Sequence, residues 1–395
     1  MTRSARVTTW APLARADTVL PVAVAVAAAD CGGSIGDDAP DTDMTPTRKS
    51  PDNGTESTAL LGRRGVSSFF MAVNGQRVLI SGMGGELGSR VASLLENEPW
   101  VESLEGIDAD PPRRRLRRAV YHRIVLGDHD RTVDVVTRFD PHVLVHIAVW
   151  EPYSRANPGR ARLLTDDAAT SILGAAAECR SLESIVVRSG IEVYGRARGS
   201  VSRPDESARI NPTCGFGKML AGIEYTAGTI GTRIGVAVGA LRLAPVIGPH
   251  VPSPLGRYLR MQAVPFSALA DPPFTVVQEI DVAAAFVAAA RMRLAEPINF
   301  VAPGAITAFQ AIRRGHRFPV PMLGPDWVIA RGFSYLAGAP IPDHVLELMH
   351  RGRLADGGRA LEVLGVAPTN STSEVIDKLY SWPSVVHTPP REAVA

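Results

Sequence analysis

Residues 77–88 read Arg-Val-Leu-Ile-Ser-Gly-Met-Gly-Gly-Glu-Leu-Gly, and no other segment constrains the fold as strongly. A parallel strand covered on both faces needs an unbroken apolar run such as Val78-Leu79-Ile80. The turn after it needs a residue free to adopt positive φ, and a diphosphate can reach bare backbone only where side chains are excluded. Gly82, Gly85 and Gly88 meet both needs. Leu87, Val91, Leu94 and Leu95 then recur at helical spacing, and a helix N-terminus offers an anion free N–H groups and a partial positive charge. The spacing predicts a strand–turn–helix unit in which Gly82, Gly85, Glu86, Leu87 and Gly88 line a dinucleotide.

An acidic residue closes the second apolar run, Ser103-Leu104-Glu105-Gly106-Ile107-Asp108. It falls about 20 residues beyond the last glycine, where a ribose-binding carboxylate is expected. Asp108 would accept from the 2′-hydroxyl and repel a 2′-phosphate, which favours NAD. The basic run from Arg113 to Arg118 could instead hold that phosphate, so NADP stays as the alternative.

Beyond Met71 strands and helices alternate. Strands are expected at 77–81, 103–107, 122–126, 143–147, 184–188 and 236–242. Helices are expected at 87–96, 130–138, 165–179, 216–229 and 280–293. The fold class implied is α/β: a doubly wound, Rossmann-like parallel sheet spanning 71–245, with helices on both faces. After 245 prolines crowd the chain, and 246–385 reads as a smaller substrate-binding region over the carboxyl ends of the strands, with 280–301 returning to the main domain. Residues 386–395 read as a tail. Residues 1–70 are rich in polar turn-formers without a sustained period, a composition that cannot offset its ordering entropy. They read as a disordered or over-extended segment, with Met71 as an alternative start. The apolar stretch 19–29 before Cys31 has a signal-peptide outline, but Asp30 occupies the position where cleavage wants a small residue.

Composition excludes more than it selects. A net charge of +2 over 395 residues gives no general attraction to nucleic acid. Three widely spaced cysteines indicate neither a disulfide framework nor a metal site, and no run has the length of a membrane span. A cytoplasmic protein acting on a small molecule is expected.

From here the chain resembles the extended short-chain dehydrogenase/reductase family, in its nucleotide-sugar epimerase and dehydratase branch. The segment 81–88 resembles that family's Thr-Gly-x-x-Gly-x-x-Gly. Gly127-Asp128-His129-Asp130 resembles the segment whose first Asp, here Asp128, contacts the adenine. Val145-His146-Ile147-Ala148 resembles the fourth-strand motif under the cofactor, which implies a contact at Ala148. Arg188-Ser189-Gly190-Ile191-Glu192-Val193-Tyr194-Gly195 resembles the fifth-strand signature, with Ser189 beside the cofactor. Segments 241–249 and 279–283 resemble two later landmarks. The resemblance covers roughly 76–301 and implies dimerisation through two helices.

The catalytic positions depart from that pattern. The family's Ser or Thr, three residues before the Val of Val-Tyr-Gly, is Gly190 here. Its Tyr, four residues before the helical Lys, is Cys214, while the lysine persists as Lys218. The Tyr shuttles a proton as hydride moves, the Lys lowers its pKa and holds the ribose, and the hydroxyl completes the path. Cys214, near a helix N-terminus and Lys218, would serve as a thiolate or merely fill space. Glu192 falls where dehydratases of the family carry a catalytic Glu, although the adjacent Asp of that pair is Ile191. Ser189 points to the strand face opposite Gly190, Tyr194 is normally structural, and His146 packs under the cofactor. The family's diphosphate-clamping Arg is replaced by Phe274, with Arg257 as a substitute phosphate contact.

Three functions follow as expectations. The first is an NAD(P)-dependent epimerase/dehydratase-type enzyme in which Lys218 supports the cofactor and Cys214 or Glu192 carries the proton. The second is an NAD(P)-binding sensor or scaffold that has lost catalysis. The third, drawn from Phe274 and the prolines, is a reductase of a lipid-like alcohol.

Overall fold

A computed structural model describes residues 75–382, except 126, 324–331, 333 and 336–338. The expectations for the N-terminal segment, for the start at Met71 and for the tail lie outside the described residues.

Seven parallel strands form the central sheet: β1 Gln76–Ser81, β2 Val101–Asp108, β3 Val120–Arg123, β4 Val143–His146, β5 Ser184–Gly190, β6 Ala237–Leu243 and, after three further strands, β10 Pro297–Phe300. Their spatial order is β10-β6-β5-β4-β1-β2-β3. The chain steps outward from β1 in one direction to β3, then returns and steps the other way from β4. This leaves a crevice at the carboxyl ends of β1 and β4, where doubly wound sheets bind ligands. Register makes the crevice concrete, because Ser81, the last residue of β1, pairs with His146 on one side and Ile107 on the other.

The strands carry the continuous apolar runs that burial on both faces requires. Val78, Leu79, Ile80, Leu144, Val145, Ile185, Val186 and Val187 are all inaccessible to solvent. Helices α1 Glu86–Leu95, α2 His129–Phe139, α3 Pro158–Ala176 and α4 Gly215–Ile234 follow their strands, and α6 Glu279–Met292, after the short α5 Pro254–Leu259, packs beside α1. The helix expected at 165–179 begins earlier, at Pro158. Its first turns lack an apolar period, but Asn157 caps them by accepting from Arg160 N–H, and proline suits a first helical turn. The third strand lies at 120–123 rather than 122–126, and β10 was not foreseen as a strand.

From 246 onward the chain builds a second apolar cluster including Leu255, Tyr258, Phe274, Ile312, Leu348 and Ile376. Its elements are the paired strands β7 Val246–Ile247 with β9 Val277–Gln278 and β8 Ala263–Ser267 with β11 Phe318–Met322. The helices are α5, α7 Ala308–Arg314, α8 Asp343–Arg351 and α10 Thr372–Ser381, while α9 Gly358–Leu364 packs against β10. Among the described residues no helix is long and apolar enough to cross a membrane.

Candidate active site

The glycine loop meets the demands of a diphosphate seat one residue at a time. Gly82 has φ +85°, and a Cβ there would stand 2.7 Å from the backbone nitrogen of Ala148, so the end of β4 presses directly on the turn. Gly88 lies against the backbone of Gly82 and Met83, which lets α1 approach the strand closely. Gly85 is different. A Cβ on it would meet only Gly82 O, at an ordinary 3.5 Å, so its missing side chain leaves the approach bare rather than relieving a clash. Gly85 is also the N-cap of α1 and supplies no side-chain cap. The first intrahelical bond runs from Ser89 N–H to Gly85 O (2.9 Å), so the N–H groups of Glu86, Leu87 and Gly88 stand ahead of it, available to an anion. These residues fit a dinucleotide.

Asp108 ends β2 beside this loop, buried, accepting from Gly84 N–H (2.9 Å) and Asp110 N–H (3.0 Å). Burial pushes its carboxyl up, against those N–H donors, which favour the ionised form. Two of the five arginines in the basic run are spent on the protein itself. Arg114 pairs with Glu86 (2.9 Å), and Arg118 donates to the carbonyls of Glu96 and Val101. Glu86 therefore offers its backbone, not its carboxylate, to the seat. Asp128 caps α2 by accepting from Arg131 N–H and remains exposed. His146 is fully buried, bonded through Nδ1 to Ser81 Oγ (2.7 Å), and burial depresses it to about 4. A neutral imidazole under the loop suits packing better than proton transfer.

At the reacting end, β5 runs into a single 3-10 turn, Ile191–Tyr194. Alternation along the strand places Ser189 on one face and Arg188 and Gly190 on the other. Ser189 Oγ donates to Glu224 on α4 (2.5 Å), and Glu224 in turn pairs with buried Arg242 (2.7 Å). Arg242 also donates to Tyr194 OH (2.9 Å), which donates to Asn299 Oδ1 (2.7 Å). Ser189 and Tyr194 thus belong to a network beneath the site, in which the Ser189 hydroxyl, expected beside the cofactor, is engaged by Glu224. On the other face, the carboxylate of Glu192 occupies the space into which any side chain on Gly190 would project; a Cβ there would also stand 3.0 Å from Leu220 Cδ1. Glu192 is 4% exposed.

Cys214 is the N-cap of α4, its sulfur accepting from Gly217 N–H (3.4 Å). Burial pushes the thiol up to about 12, and the neighbouring Arg353 only partly offsets this. The expectation of a depressed, thiolate-forming cysteine fails here: desolvation outweighs the helix terminus. Lys218 lies one turn on, its N–H bonded to Cys214 O (3.1 Å) and its side chain exposed.

Several groups around Glu192 carried no sequence signal. Helix α8 brings His344, 3% exposed, against Glu151 of the loop after β4, with Nε2 3.0 Å from Glu151 Oε1. The imidazole also packs at a tilt against Phe216, ring centroids 4.7 Å apart. Its Nδ1 is 3.8 Å from Asp343, an ion-pair contact longer than a hydrogen bond. Burial alone would lower this histidine, but Asp343, Glu151 and the charge of Glu192 outweigh it and raise it to about 9. Asp343 caps α4 through Gly215 N–H (2.8 Å). Arg188 donates to Val149 O (3.3 Å) and feels the charges of Glu151 and Glu192. Arg257 donates to Tyr153 O beside Glu151. Phe274 is wholly buried and bridges backbone-to-backbone with Arg353, so it lines no apolar channel and the lipid-alcohol reading loses its main ground. Arg353 itself is 1% exposed and pairs with Glu347 (2.7 Å).

Residues 78–264 match the model of the NAD dependent epimerase/dehydratase family. An uncharacterized protein of Mycobacterium tuberculosis is 29% identical over 319 residues, covering 77% of this chain and 83% of its own length. Among solved structures, the UDP-glucose 4-epimerase of Thermotoga maritima with UDP-glucose superposes with a TM-score of 0.61 at 17% identity, covering 78% of this chain and 98% of that one. The UDP-glucuronic acid 4-epimerase of Bacillus cereus in complex with NAD gives 0.58 at 17% identity, with coverage of 78% and 98%. At these identities the structural likeness is one of fold.

Proposed function

We propose that this chain, whose residues 78–264 match the model of the NAD dependent epimerase/dehydratase family, is an NAD-dependent enzyme acting on a nucleotide sugar, with Glu192 as its proton carrier. The observation that carries this reading is the position of Glu192. The residue type missing at Gly190 and at Cys214 is a proton-carrying hydroxyl, and the carboxylate of Glu192 lies in the space beside Gly190.

The glycine loop and the uncapped start of α1 would hold the diphosphate, Asp108 the adenosine ribose, and Lys218 the second ribose. NAD, when bound, supplies a reversible hydride acceptor. The chain's part is to move the proton: as the substrate's C–H leaves as hydride, Glu192 takes the hydroxyl proton and the C–O bond becomes a carbonyl. Return of hydride and of that proton restores the alcohol, and return to the opposite face of the carbonyl gives the epimer. A carboxylate is a competent base for such a step.

Fluorescence titration of NADH against the full chain, followed by a turnover screen with UDP- and dTDP-sugars, tests the reading. Glu192→Gln should remove turnover and leave NADH affinity unchanged. Full activity in that variant would refute the assignment of Glu192.

A second reading is favoured by the buried Cys214 thiol, which leaves the tyrosine's role without a ready successor. On that reading the chain binds NAD as a sensor or scaffold. NADH binding without turnover of any nucleotide sugar is its signature.

A further inference from the structure

Arg353 is a deeply buried cation only partly satisfied by the protein. One guanidinium nitrogen, Nη2, donates to Glu347 (2.7 Å), while Nε and Nη1 find no acceptor among the described residues. Leaving donors of a charged group unmet in a buried site is costly. Packing fixes the side chain: the backbone of Arg353 donates to Pro273 O and accepts from Thr275 N–H, 3.0 Å each, so it is stitched into the second apolar cluster. Glu347, its ion-pair partner, is held in turn by a hydrogen bond from Thr213, the residue before Cys214.

Location gives the orphaned donors their meaning. Through Glu347 and Thr213 the guanidinium is tied to the chain immediately before Cys214, and it feels the charge of Glu192; these two residues stand at the reacting end in the reading above. It is therefore placed where the ring of a substrate would react, and a neutral sugar hydroxyl would make poor use of a full buried charge. A carboxylate would use it well, since charge-assisted bonds to arginine are about twice as strong as neutral ones. The same guanidinium would also screen such a carboxylate from Glu192, which otherwise repels it. Arg188, on the same strand face as Gly190, adds a second cation nearby.

Resting on the nucleotide-sugar reading above, we infer that Arg353 is a specificity-determining residue that selects substrates whose sugar carries a carboxylate at the reacting end, a uronic acid rather than a neutral hexose. UDP-glucuronate and UDP-glucose are matched probes, differing only in a carboxylate against a hydroxymethyl group. In calorimetric titrations of the NAD-loaded full chain, UDP-glucuronate should bind at least about tenfold more tightly. Arg353→Lys keeps the charge but loses the planar set of donors. It should erase most of that preference while leaving the affinities for UDP-glucose and NADH unchanged.

Equal affinity of the wild-type chain for the two sugars would overturn the inference. So would an equal loss of both in Arg353→Lys, which would make the residue a contact to the shared nucleotide part. Binding of neither sugar also overturns it, and the NADH titration on the same sample then reports separately whether the cofactor seat stands.

Discussion

The carboxylate of Glu192 fills the volume into which a side chain at Gly190 would project. Gly190 has extended backbone, φ −155°, which any residue can adopt. Its glycine is therefore explained by the space that Glu192 takes, and the pair behaves as one unit.

That coupling has a measurable signature. Gly190→Ala should displace the Glu192 carboxylate, the far end of a flexible side chain, and lower turnover on the order of tenfold or more with little loss of stability. In a Glu192→Gln background the same substitution should cost nothing further, because coupled residues are non-additive. Additive losses would show that the two act separately.

Gly85→Asp tests the seat without breaking the fold. Its Cβ meets only ordinary contact, so the melting temperature should stay within a few degrees while NADH binding disappears under the added charge. Gly88→Ala, which presses on the backbone of Gly82, should instead destabilise the protein. Unchanged NADH affinity in Gly85→Asp would remove the diphosphate assignment.

His344 should make stability fall on the alkaline side. Its folded value of about 9 stands above the usual 6.5. The contribution is therefore complete below pH 6.5 and is lost as pH rises through about 9. A shift of that size corresponds to about 3 kcal/mol. Denaturant midpoints for the wild type should drop across this window, and those for His344→Gln should not; parallel curves would show that the imidazole does not carry the effect.

Cys214 should resist alkylation in the native protein near neutral pH, because its thiol is buried and held at about 12. Iodoacetamide labelling monitored by mass spectrometry should become fast only on unfolding. Rapid native labelling at Cys214 would restore the thiolate as a proton carrier.

The Arg242–Glu224 pair beneath the site is buried on both sides, 4% and 10% exposed. Arg242→Met should cost about 3–5 kcal/mol, because it strands a buried carboxylate. Chemical denaturation measures this, and a loss under about 1 kcal/mol would show that solvent already reaches Glu224.

Much of the cofactor end was legible in the chain. The run 77–88 imposes local demands that no distant residue can alter: an apolar strand, a positive φ at Gly82, an open approach at Gly85 and a helix start without a cap. Asp108 followed from the same spacing. Helix boundaries were less legible, as at Pro158, where a cap rather than an apolar period sets the start. Of the two readings the sequence left open for Cys214, burial, which sequence does not display, favours the space-filling one, because it governs the thiol more than its place at a helix N-terminus.

The reacting end became legible only in three dimensions. Glu192 could be named from the motif, but its hold on the space beside Gly190 depends on the turn after β5. His344, Glu151 and Arg353 come from chain segments some two hundred residues apart and repeat no pattern. The sequence by itself determined a strand, a glycine turn and a helix start without a cap, the backbone that a diphosphate would need, since short-range geometry dictates it. Only the tertiary structure decided which charges surround Glu192, because burial and proximity between distant segments arise when the chain packs.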